Sequence, residues 1–265
     1  MRSPNTCPRP DPLICWLQRF PPRLDARVSS NGRDCSVLCC FGSTGRIPPT
    51  AHVVSCAVVA AGLPEIERIE LALRGQMAST CATRFGPSWH IDPRAFRPGV
   101  DIEALRAQFT GALDRSTDRA ARQIWSRRDL DQISFGMVSE HLSLGAISRI
   151  AGLLDPQVSR VAAQTFQLPA PTLRATLQHV THVRNCCAHH TRIWGTRFGV
   201  PTPKYRSPAT LVARLEGGQP RSPSRSLALI SHMADSVCTD PARTTALELL
   251  LADHRDLLVG LGTTR

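Results

Sequence analysis

With 265 residues the chain can hold one large domain or two small ones and bury a real hydrophobic core. Aromatics make up 5% of the residues, Leu, Ala, Val and Ile carry most of the apolar content, and long alternating β-branched runs are missing, which argues against sheet folds and for an all-α chain. The net charge is +11, almost all of it from Arg, with Lys204 the single lysine; such a field attracts phosphate backbones and also simply keeps a protein soluble.

No run approaches the ~18 apolar residues a membrane span requires, and the N-terminus lacks an apolar core followed by a small-residue cleavage site. A soluble, cytoplasmic protein without membrane contact is expected. Six of the ten cysteines precede residue 60, and in that compartment they are reduced thiols rather than a disulfide framework. Phosphate-loop, dinucleotide-binding and nucleophile-elbow motifs are missing, which argues against NTPase, Rossmann and α/β-hydrolase chemistry.

Residues 1–57 form an atypical segment rich in Pro, Arg, Ser and Cys, devoid of Glu and of helical periodicity; it is expected to be poorly ordered. Within it Cys35, Cys39, His52 and Cys56 fit zinc-ligand spacing. Pro48 and Pro49 stand where a finger's helix should form, and Cys40 blurs the ligand set. No metal and no cofactor is expected.

From Val58 to about residue 260 the pattern is helical. Leu63–Arg74 predicts a helix with Pro64 near its first turn and Ile66, Ile69, Leu73 and Met77 on one stripe. A Gly/Pro-rich loop follows, then a helix capped by Asp101 with Ile102, Leu105, Phe109 and Leu113 inward. Residues 137–154 read as helix with a break at Gly145, and Pro156–Phe166 as a short helix. Thr172 to about Trp194 reads as one long helix, Gly195–Ser226 as a polar Pro-rich connector, and Leu227–Val237 and Pro241–Leu258 as two closing helices.

The most informative stretch is Val183–Trp194, which gathers Arg184, Asn185, His189, His190 and Arg192. Residues 185 and 189 are one i, i+4 step apart and share a face. Guanidinium donors match phosphate oxygens, and an imidazole can move a proton. Such a patch suits phosphate-centred chemistry, although Arg and His on a helix can equally cap, pair or face solvent.

The wording of the stretch narrows this. Arg184-Asn185-Cys186-Cys187-Ala188-His189-His190, followed by Arg192-Ile193-Trp194, closely resembles the RN-x-CAH-x-x-R-[LI]-W signature of the Abi-like (abortive infection) family of the HEPN superfamily. Glu65–Arg74 is similar to the family's RIE-x-x-x-R helix. Ser139–Gly145 resembles its E-x-[LM]-[ST]-[FL]-G helix start, with Trp125 upstream. The resemblance covers about residues 58–258; residues 1–57 depart from it, as a divergent extension or as text out of frame with the family.

That resemblance implies a HEPN-like helical bundle and a metal-independent endoribonuclease acting as a toxin in antiphage defence. Two copies would face each other, and the RNA 2′-OH would supply the nucleophile. His189 would act as general base or acid and Arg184 would stabilise charge on the phosphorane. Asn185 would hold the phosphate or orient His189, with His190 and Arg192 as further contacts. Glu140 would orient a catalytic group or, more simply, favour a helix start. Trp194, Cys186 and Cys187 read as packing residues. RNA, a second copy of the chain and an antitoxin are the expected partners. The alternative is a non-catalytic HEPN module that binds RNA or protein.

Overall fold

In a computed structural model the described residues are 49–189, 191, 193 and 195–238, without the side chains of residues 49–54, 56, 57, 60 and 61. Helix α1 runs Pro49–Phe85, and its stripe of Ile66, Ile69, Leu73, Met77 and Cys81 is fully buried. It begins fourteen residues ahead of the expected Leu63, and Pro64 lies inside it rather than in its first turn. An interior proline removes a ladder hydrogen bond and costs about 3 kcal/mol. Tertiary contact offsets that cost. Val58 is buried on the upstream half, and Gly62 lies close enough to α9 that a Cβ there would meet Leu227 Cδ2 at 3.6 Å.

After α1 come two 3-10 turns, Trp89–Ile91 and Pro93–Ala95. Trp89 is fully buried, its ring 4.3 Å from that of Phe135. Helix α2 spans Ile102–Asp114, and Asp101 caps it as expected by accepting from the Ala104 N–H at 3.0 Å. Helix α3 covers Arg119–Trp125.

The expected 137–154 helix is two helices, α4 (Phe135–Ser139) and α5 (Leu144–Leu153). The break falls at residues 140–143, not at Gly145, because the Ser143 hydroxyl accepts from the Ala146 N–H and caps α5. Helix α6 follows at Pro156–Thr165. Helix α7, Leu173–Ala188, ends six residues before the expected Trp194. The connector holds a short helix α8 (Ala209–Arg214) and buries Phe198, Thr202, Tyr205, Leu211 and Leu215, so it is packed rather than merely polar. Helix α9 spans Pro223–Val237; the expected Pro241–Leu258 helix lies outside the described residues.

The architecture is all-α. Among the described residues no strand forms, only an isolated antiparallel bridge between Phe96 and Leu154. Helix α1 packs on α9, α6, α7 and α4, while α5 packs along α7. No helix among the described residues is long and apolar enough to cross a membrane.

Candidate functional site

The C-terminal end of α7 presents Arg184, Asn185 and His189, all exposed, while Leu177, Val180, Val183 and Cys187 of the same helix are buried. His189 is the first residue past the helix; its N–H still bonds the Asn185 carbonyl at 3.0 Å. The Thr191 N–H turns back onto the Cys186 carbonyl at 2.9 Å, the 6→1 bond of a Schellman ending. Arg184 Nη1 lies 3.5 Å from Asn185 Oδ1, the outer limit of a hydrogen bond. Beneath this end the packing is close: a void of about 10 Å³ is lined by Val58, Ile66, Val183, Cys187 and Ile193, among other groups. The three exposed side chains therefore stand above a packed, apolar floor.

A second face of α7 carries two histidines singled out by no motif. His179 is fully buried; its Nδ1 meets the Val200 carbonyl at 2.9 Å and its Nε2 the Ser226 hydroxyl at 3.0 Å. Burial pushes its pKa down to about 4, against the contrary pull of the Val200 carbonyl. His182 Nε2 accepts from the Gly199 N–H at 3.1 Å, and its ring meets Phe198 edge-on at 5.8 Å. Burial lowers its pKa as well. Their three-residue spacing was readable, but nothing in the sequence distinguishes a structural imidazole from a surface one.

Cys186 Sγ sits 3.7 Å from His182 Nε2. This is not an activated thiol–imidazole pair. The Nε2 lone pair is already taken by Gly199, and burial raises the Cys186 thiol pKa, holding it protonated. Cys187 is buried and its thiol pushed up to about 12 by burial. Both behave as the packing residues expected.

The other two motifs converge on the same end of the bundle. Arg74 pairs with Glu70 and donates to the Leu142 carbonyl at 2.6 Å, so the α1 motif grips the turn that opens α5. Helices α5 and α7 run antiparallel: a Cβ at Gly145 would meet Thr181 Cγ2 at 3.4 Å, and one at Gly152 would meet Arg174 Cγ at 3.1 Å. The start of α5 thus lies level with Thr181, about two turns before α7 ends. Glu140, exposed, is three residues before the Ser143 cap. It closes α4 rather than opening a helix, so the expected favourable dipole is reversed. Trp125 is half-buried, edge-on to His141 at 5.2 Å.

His190, Arg192 and Trp194 lie outside the described residues, as do the side chains of Cys35, Cys39, His52 and Cys56. Among the described residues no group of three or more His, Cys, Asp or Glu could hold a metal ion.

Residues 59–195, just over half the chain, match the Abi-like protein family. The chain belongs to that family. The Abi-like match takes in α1 from Val59 onward, then the whole of α7 and the RN-x-CAH stretch, and it stops at Gly195. All three converging motifs lie inside it; the packed connector and α9 lie beyond it. No curated protein and no solved structure matches the chain.

Proposed function

We propose that this Abi-like protein is a metal-independent endoribonuclease of the HEPN type, acting in abortive infection by cutting RNA at a site that two copies complete. Family membership supports a role connected with abortive infection. The observation that carries the catalytic reading is the exposed set of Arg184, Asn185 and His189 at the end of α7, standing on a packed floor.

The chemistry needs little more than this set. The RNA 2′-OH attacks the adjacent phosphorus while the bond to the 5′-oxygen breaks. His189 takes the 2′ proton or returns one to the leaving 5′-oxygen. Arg184 donates to the equatorial oxygens as charge gathers on them, and Asn185 orients the phosphate. A base and an acid on opposite sides of one phosphodiester call for two imidazoles, which a second copy supplies. The products are a 2′,3′-cyclic phosphate and a 5′-OH. His190 and Arg192 are proposed as further RNA contacts, and an antitoxin as a partner that would cover the site.

Labelled RNA incubated in EDTA with the wild-type chain and with His189→Ala tests this. Cleavage is expected from the wild type alone. Cleavage by the variant, or its loss in EDTA, overturns the mechanism. The second reading is a non-catalytic module, favoured by the lack of any Arg184–His189 contact among the described residues. RNA binding without cleavage under every condition would select it.

A further inference from the structure

Between Asp155 and Glu216 the sequence has no carboxylate and eight Arg or Lys residues, although the chain's overall acidic content would place about five acids in sixty residues. Solubility needs net charge, but it does not need the acids cleared from one stretch. The structure shows where part of this stretch goes. Residues 198–205 fold back along α7 as a strap. The Gly199 N–H reaches His182 at 3.1 Å, the Val200 carbonyl His179 at 2.9 Å, and the Tyr205 hydroxyl Thr176 at 2.6 Å. As the strap number rises the helix number falls, so the strap runs antiparallel to α7, away from the site.

Phe198, Thr202 and Tyr205 face inward and are buried, whereas Arg197, Lys204 and Arg206 are exposed. Among the described residues no hydrogen bond or ion pair ties these three down. The strap's neighbouring cations are used structurally: Arg221 on the Phe198 and Gly199 carbonyls, Arg225 on the Leu215 and Gly218 carbonyls, and Arg214 on Asp235. Arg197, Lys204 and Arg206 enter no ion pair among the described residues. An exposed row of unmatched cations repels itself and attracts a polyanion. The strap lies along α7 from His182 back to Thr176, roughly 9 Å along the helix, so the row spans more than a single phosphate.

We infer that the strap edge of Arg197, Lys204 and Arg206 is a binding track for the RNA sugar-phosphate backbone, leading to the phosphate held at Arg184 and His189. The track rests on the nuclease reading for its substrate, but binding and cleavage can be measured separately.

The test uses the full chain carrying His189→Ala and a fluorescent single-stranded RNA, titrated over a range of salt. Replacing Arg197, Lys204 and Arg206 together by Gln removes three phosphate contacts. The slope of log K against log salt should then fall by about 2, and affinity at 0.15 M salt should drop on the order of 50-fold. Arg197→Lys with Arg206→Lys keeps the charge and should keep the binding. Lys204 is the only lysine, so acetylation located on its peptide by mass spectrometry, apart from that of the N-terminal amine, reports on it alone. RNA should protect it, and this readout stands even if the triple variant misfolds. An unchanged slope in a folded triple variant, or unprotected Lys204 in the RNA complex, overturns the track. If the wild type binds RNA through the track yet never cuts it, the track stands and the nuclease reading falls. Absence of RNA binding at low salt overturns both.

Discussion

Replacing Arg74 by Met keeps the length of the side chain and removes its charge. Arg74 and Glu70 are mostly buried, with 16% and 18% of their side chains exposed, so solvent screens the pair little. The substitution loses a charge-assisted hydrogen bond to the Leu142 carbonyl, worth about 1.5–3 kcal/mol. It also strands Glu70 in a largely buried place; breaking such a pair from one side costs about 3–5 kcal/mol in all. Arg74 Nη1 is itself buried without a partner among the described residues, and its removal returns roughly 1 kcal/mol. The net loss is about 3 kcal/mol, which for a helical unit of this size lowers the melting midpoint by about 6–12 °C. Thermal unfolding followed by circular dichroism measures it. Arg74→Met combined with Glu70→Leu should recover part of the loss, since no stranded charge remains. The exposed pair Arg106–Glu103 is the control, and Arg106→Met should leave the midpoint nearly unmoved. A drop of less than about 2 °C in Arg74→Met would refute the reasoning that this guanidinium clamps α1 to the α5 turn.

Acid should destabilise the fold through its buried histidines. Burial, with the Arg106 charge, brings His90 to about 4, and burial brings His179 to the same value, both from 6.5. A folded pKa below the unfolded one gives stability that is complete above about pH 6.5 and is lost as pH falls towards 4. At pH 5 each of the two costs about 2 kcal/mol, so the urea midpoint should fall steeply between pH 6.5 and 5, and a flat profile would count against their burial. His182→Ala should speed hydrogen exchange at the Gly199 amide, and His182→Gln, which keeps an acceptor, should restore protection; equal exchange in both would dismiss the bond. Gly152→Ala should stabilise by up to about 1 kcal/mol, because the Arg174 side chain its Cβ would meet at 3.1 Å is exposed and can swing aside; a lower melting midpoint would show that the α5–α7 contact cannot yield.

Where periodicity and local capping governed the structure, the sequence was readable. The α1 stripe from Ile66 to Met77, the Asp101 cap and the start of α6 all follow from spacing and side-chain chemistry. Features set by distant partners were not. The first turns of α1 run through Pro64 because Val58 and Gly62 pack against other elements, α9 among them. The end of α7 is not announced in the sequence, because the Schellman bond from Thr191 forms without the glycine that usually marks it. The strap looked like a connector because Phe198, Thr202 and Tyr205 are buried at irregular spacing, held by His179, His182 and Thr176. For the site, the residues at the end of α7 were legible. The Arg74–Leu142 clamp, 68 positions apart in sequence, was not.

These contacts change what the family signature means physically. Arg74 touches the backbone of the turn that carries Glu140, and that turn opens α5, whose Gly145 lets α7 approach to within contact of Thr181. The α1 motif is thus a brace for the other two. Glu140 differs from the rest. A carboxylate kept for helix stability belongs at an N-terminus, yet this one closes α4, where the dipole opposes it, and it is exposed.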